Sequence, residues 1–216
     1  MKIKFIDYDE KYLADLIRTH KISFKDHFNS RMDDLYTKNF LEWFTTKNEF
    51  DPIFVLAVDS DTDSLIGYMC GAKDGFYTRI TRHLLPYTFI TFLKKPYLIF
   101  DSKMKDLITP KLNALLGKTE YPQWETYENT LPQPIFSVTS FALNNEYRNA
   151  GFGYFLLTKF FKEFFDRVKK HHGSTVRATV RAFNKEIYDY YKFSKWVIAP
   201  SNTRTTLRFY KTIDNK

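Results

Sequence analysis

The stretch "NNEYRNAGFGYFLL", Asn144 to Leu157, places Gly151 and Gly153 two residues apart in a chain that holds only seven glycines. Large apolar residues at helical spacing follow it, and "PIFSVTSFAL", β-branched and aromatic, precedes it as a predicted strand. The pattern Arg148-x-x-Gly-x-Gly therefore falls at a strand-to-helix junction. There the first helical N–H groups have no partners, and the helix dipole adds partial positive charge, so an anion is welcome. Glycine lets the backbone come close because no Cβ stands in the way. Arg148 and Asn149 can add charge-assisted or polar contacts. The stretch reads as built to hold a diphosphate; a tight turn with close helix packing is the competing reading. Two other glycine loops do not fit. The dinucleotide fingerprint needs a third glycine where Phe155 and Leu156 fall, and no Gly-Lys-Ser/Thr ending completes a P-loop.

Outward from that junction, the order of elements can be followed in both directions. Upstream, "IKFID" is a predicted strand, and "EKYLADLIRTHKISF" is a helix with Leu13, Leu16, Ile17 and His20 on one face. After the polar break "KDHFNSR", "MDDLYTKNFLEWF" is a second helix with Leu35, Phe40, Leu41 and Phe44 inward. "DPIFVLAVDS" and "LIGYMCGAK" form a hairpin around "DTDS". Residues of about 75–132 carry five prolines and helical pieces such as "SKMKDLITPKLNALL", and read as a mostly helical insertion. Downstream, a long helix runs from about Gly151 to His172 with Phe152, Phe155, Leu156, Phe160 and Phe164 as its apolar stripe. Gly173 is expected to close it as a left-handed cap. A strand "STVRATVRA", a short helix "NKEIYDYYKFS" and a hairpin around "SNTR" complete the chain. The expectation is one α/β (α+β) domain over 1–216, with a mixed, mostly antiparallel sheet of about six to seven strands flanked by helices.

On these residues the chain resembles the GNAT superfamily, the acyl-CoA-dependent N-acetyltransferases. "LNNEYRNAGFGYFLL" is similar to the family's "V-x-P-E-Y-R-G-x-G-I-G-x-x-L-L", with Asn145 in place of proline. The family's second signature, a strand ending in Asn followed by "x-x-A-x-x-x-Tyr-x-x-x-Gly-Phe", falls on Asn184, Ile187 for the alanine, Tyr191, and Lys195-Trp196 for Gly-Phe. Both motifs lie within about 134–213. The resemblance implies acetyl-CoA as co-substrate and direct attack by an amine on the thioester, without an acyl-enzyme. It implies that backbone amides over Asn149, Ala150, Gly151, Phe152, Gly153 and Tyr154 grip the pyrophosphate. It further implies that Phe141 and Leu143 offer main-chain contacts to the pantetheine on the free edge of the fourth strand, with Asn184 facing the same arm. Tyr191 stands at the general acid's position; a one-residue slip would move that role to Tyr190. The general base is open. "IFSVTSFAL" lacks the strand Glu of many relatives, leaving Ser137, Thr139 and Ser140 to orient a water, and Asp26, His27 and Asp74 as further candidates.

Composition bounds the rest. Of 216 residues 44% are hydrophobic, with 22 Phe and 15 Tyr, which suits a core of large rings. The single Cys70 excludes an internal disulfide and fits a reducing, cytoplasmic setting, where it is read as a buried small residue. No apolar run follows "MKIKFIDYDE", and "HLLPYTFITFL" is too short to span a bilayer, so neither leader nor membrane partner is expected. The net charge of +8 is scattered rather than blocked, which argues against nucleic acid and leaves a polyphosphate cofactor as a reason for it. No His/Cys/Asp/Glu set has metal-site spacing. The insertion carries Phe76, Tyr77, Arg79, Arg82, Tyr87, Phe89 and Trp124, a mix suited to an acceptor with its own anionic group, such as an amino sugar. A homodimer contact or a cover for the core are its other readings. The alternative to an N-acetyltransferase is a non-catalytic acyl-CoA-binding sensor or scaffold of the same fold.

Overall fold

The computed structural model describes residues 1–25, 27–100, 122–148, 150–181, 184–199 and 206–213. Seven strands form one sheet: β1 (Ile3–Ile6), β2 (Ile53–Asp59), β3 (Ser64–Lys73), β4 (Ile135–Leu143), β5 (Thr175–Arg181), β6 (Val197–Ile198) and β7 (Thr206–Thr212). Their spatial order is β1-β2-β3-β4-β5-β7-β6, and every pair is antiparallel except β4 with β5. The helices are α1 (Leu13–Ser23), α2 (Phe28–Arg31), α3 (Asp34–Trp43), α4 (Phe76–Lys94), α5 (Tyr97–Phe100), α6 (Pro122–Glu128), α7 (Ala150–Lys170) and α8 (Lys185–Phe193). The sheet is thus the mixed, mostly antiparallel one expected from the sequence, in a two-faced α/β layering.

Two apolar layers sandwich the sheet. On one face Leu16 of α1, Phe40, Leu41 and Phe44 of α3 and its C-terminal end, and Phe76, Ile80 and Leu84 of α4 close over Tyr68, Cys70 and Ala72 of β3. On the other, Leu156, Leu157, Phe160, Phe161, Phe164 and Val168 of α7 cover Val55, Met69, Phe136 and Val176. Period-2 alternation along the strands sends neighbouring residues to opposite layers. Each buried ring contributes roughly 1.5–3 kcal/mol over leaving it in water. Cys70 is sealed in the first layer, where burial pushes its thiol pKa far up and removes it as a thiolate nucleophile at neutral pH.

Four local expectations are corrected. Leu35 is exposed rather than inward, because it stands in the first turn of α3 ahead of the buried pair Tyr36 and Thr37. Phe155 is exposed, and the stripe of α7 runs through Phe161 and Leu157 instead. The break "KDHFNSR" holds the one-turn helix α2. At the end of α7 it is His172, with φ of 57°, that takes the left-handed conformation. Gly173 serves a different purpose: a Cβ there would lie 2.3 Å from Val168 Cγ1 and 2.7 Å from Phe136 Cδ2. Gly173→Ala is therefore expected to destabilise the fold by about 1–3 kcal/mol by overpacking, read from the urea midpoint at constant slope. Pro86 lies within α4 without ending it. The "SKMKDLITPKLNALL" and "SNTR" segments lie outside the described residues.

What positions the site is a split in the sheet. β4 and β5 pair only from Ile135–Thr175 to Val138–Ala178. On its other edge β4 stays paired with β3 as far as Leu143, with Cys70 opposite Ser140 but Gly71 opposite Val138. Thr139 is thus an extra residue, a β-bulge, and pairing with β5 stops at the residue before it. A bulge bends its strand and increases local twist. Among the described residues no strand pairs with the β5-facing edge of β4 beyond Val138.

Candidate active site

The junction after β4 is the mouth of that split. Asn144 leads into a single 3₁₀ turn, Asn145–Tyr147, and α7 starts at Ala150. Neither glycine is demanded by backbone conformation, since among described glycines only Gly75 has a positive φ. Nor is either demanded by packing. A Cβ on Gly151 would meet nothing within 4 Å, and one on Gly153 would lie 3.7 Å from the Arg148 carbonyl, an ordinary contact. Glycine in a helix costs about 1 kcal/mol against alanine. The turn-and-packing explanation therefore fails at Gly151, and bare space over the first turn of α7 is what remains. That space fits a bulky anion resting on main-chain N–H groups.

Arg148 does not extend into it. Its Nε donates to the Leu143 carbonyl at 2.9 Å and its Nη2 to Ser23 Oγ at 2.5 Å, tying the end of β4 to the end of α1. Phe152 packs beside Tyr147, and the Tyr154 hydroxyl donates to the Glu186 carbonyl at 3.2 Å, so this turn is braced against α8. Phe141 and Leu143 lie on the free stretch of β4. Asn184 caps α8, its Oδ1 accepting from the Ile187 N–H at 3.3 Å. Asn149 lies outside the described residues, and so does Asp26.

Tyr191 is buried between α7, α8 and β7, stacked on Phe209 with ring centroids 4.8 Å apart and edge-on to Trp196. Among the described residues no hydrogen bond reaches its hydroxyl. Burial, with Tyr190 beside it, raises its pKa well above 10, so the phenol stays protonated at neutral pH. Tyr190 differs: its hydroxyl lies 3.3 Å from Thr158 Oγ1 and its ring stacks with Phe161. The unpaired proton is therefore on Tyr191.

A charged cluster that sequence reasoning missed sits at the closed end of the split. Arg177 of β5, beside Ser137 in register, donates to both Asp74 oxygens and, at 2.6 Å, to Glu128 Oε1. The same oxygen accepts from Arg208 at 2.7 Å and from the Tyr210 hydroxyl at 2.6 Å. Trp124 covers the Arg208 guanidinium at 3.8 Å. Burial acts to raise the Glu128 pKa, but Arg177, Tyr210 and Arg208 outweigh it and hold the carboxyl below its ordinary value. Asp74, a candidate base, is therefore committed to an ion pair with Arg177. His27 is half-buried, edge-on to Phe24. On β4, Ser137 Oγ and Thr139 Oγ1 are buried with no partner, two polar atoms facing no protein donor or acceptor. The missed signal was arginine inside the alternating strand "TVRATVR", where Arg177 shares a face with Thr175 rather than with solvent.

No protein-family model and no curated protein sequence matches the chain. Solved structures do match it over their full length. An acetyltransferase of the GNAT family from Staphylococcus aureus Mu50 is 11% identical, with a TM-score of 0.55 over 99% of this chain and 100% of that one. The NatC complex bound to Gag peptide and CoA matches at 10% identity and TM-score 0.55, over 99% of this chain and 100% of the other. NAA60 of Arabidopsis thaliana in complex with a bisubstrate analogue matches at 14% and 0.53, with all of both chains covered. This chain has the GNAT fold. The likeness in sequence is slight, so the comparison rests on the fold alone. The described residues of the two motifs, Arg148, Ala150 to Tyr154 and Asn184 to Tyr191, follow β4 and β5, the two strands that part. They lie on the turns after β4 and β5 and on the helices that follow.

Proposed function

We propose that the protein is an N-acetyltransferase that moves an acetyl group from acetyl-CoA to a primary amine by direct attack. The observation that carries this reading is the open space over Gly151, at the mouth of a split where a glycine has no packing or conformational cause. Bound acetyl-CoA supplies an activated acetyl thioester. The N–H groups of the first turn of α7, from Ala150 to Tyr154, hold its linked phosphates. The free edge of β4 at Phe141 and Leu143 receives the amide-bearing arm, as an added strand would. Tyr191 keeps its proton for the departing sulfur, and burial in an aromatic cluster guards that proton at neutral pH. Ser137 and Thr139 are the groups available to orient a water that takes the amine's proton. The acceptor is read as a small amine with an anionic group, for instance an amino sugar, in keeping with the net charge of +8. The absent strand carboxylate is the one feature that favours a non-catalytic acyl-CoA sensor instead.

Two measurements test the reading. Release of free thiol from acetyl-CoA in the presence of an amine library is expected; none with any amine, alongside intact cofactor binding, would leave the sensor. By calorimetry, Gly151→Asp is expected to weaken coenzyme A binding about tenfold or more, since it sets a carboxylate against phosphate. Gly151→Ala is expected to leave the folded state as stable as before or slightly more so.

A further inference from the structure

We propose that α4 and α5 form a surface that docks on an anionic lipid bilayer. α4 buries Ile80, Leu84 and Thr91 against the body of the protein. On its other side Leu85, Phe89 and Leu93, each four residues on, form one outward stripe at 45%, 64% and 67% exposure. Tyr97, Ile99 and Phe100 of the next helix, α5, are exposed as well, Phe100 to 80%. Apolar residues scattered singly on a surface need no explanation, but a helical stripe of three, with three more large apolar residues exposed on the next helix, marks something that covers it.

Charge selects the occupant. From Gly75 to Phe100 there is no Asp or Glu, while Arg79, Arg82, Lys94 and Lys95 are all present. Lys94 shares its charge with Asp33 at 2.9 Å, and Arg82 is exposed. A second copy of the same face would bring like charges together, which disfavours self-association. A helix with aromatic and aliphatic residues on one side and only basic charges along it suits the headgroup boundary of a bilayer rich in anionic lipid. Among the described residues no helix is long and apolar enough to cross a membrane, and lying on one requires only a single face.

The test is co-sedimentation of the full chain with vesicles of phosphatidylcholine mixed with phosphatidylglycerol, against phosphatidylcholine alone. Pelleting with the mixed vesicles only is expected, reduced by added salt. Phe89→Ser with Leu93→Ser should lower the partition by about tenfold or more with the melting temperature unchanged, since both side chains are already exposed. Arg82→Glu should lower it less and flatten the salt dependence. Pelleting that ignores the Phe89/Leu93 pair would overturn the proposal. So would a concentration-dependent dimer, seen by size exclusion, that the same pair abolishes. Coenzyme A binding should be the same in all these variants, which keeps this test separate from that of the acetyl-transfer reading.

Discussion

Tyr191→Phe is expected to lower kcat by about a hundredfold or more while leaving the affinity for coenzyme A nearly unchanged. The change removes one hydroxyl that has no hydrogen bond among the described residues, so little stability should go with it. The ring's contacts with Phe209, Trp196 and Phe161 persist in phenylalanine. Because burial raises the phenol pKa above 10, wild-type kcat should show no alkaline loss from this group below about pH 10. Thiol release measured under saturating acetyl-CoA gives the result. Equal turnover in the variant would take Tyr191 out of the reaction. The paired variant Tyr190→Phe, whose hydroxyl is engaged with Thr158, should cost far less.

The second large effect is on stability. Glu128→Ala is expected to destabilise the protein by about 3 kcal/mol, the lower end of what removing one partner of a buried ion pair costs. The lower end is chosen because Asp74 still holds Arg177 once the Glu128 carboxylate is gone. Urea unfolding of variant and wild type gives the difference. Its pH dependence has a definite sign. The Glu128 carboxyl is held below its ordinary pKa in the fold, so its contribution is complete above about pH 4.3 and fades as acid protonates it in the folded state. The gap between the two proteins should therefore shrink on acidification below about pH 4. A gap that widens there would mean that Glu128 is not the charge that holds the cluster.

Much of this fold could be read because its signals are local. The hairpin around "DTDS", the stripe of α7 and the strand-to-helix junction at Gly151 each follow from neighbouring residues. The corrections arose where a third dimension decided. Phe155 satisfies helical periodicity about as well as Phe161 does, and only the sheet behind α7 tells which side is inward. Gly173 looked like a cap from its place after a helix, whereas contact with Phe136, far off in sequence, is what excludes a side chain. The Glu128 cluster joins residues from α6, β5, β7 and the turn after β3, with bonded partners up to 103 positions apart, so no sequence window contains it. Arg148 was legible as a member of the motif, but its side chain serves α1 and β4 rather than the space over Gly151.

The bulge at Thr139 has one more implication. β4 and β5 part at the point where β4 carries one residue more than β3 does. Replacement at any lining position alters what the opening contacts and leaves it open; deleting Thr139 is the change expected to restore the ladder and zip it shut. A feature specified by counting tolerates wide drift in composition.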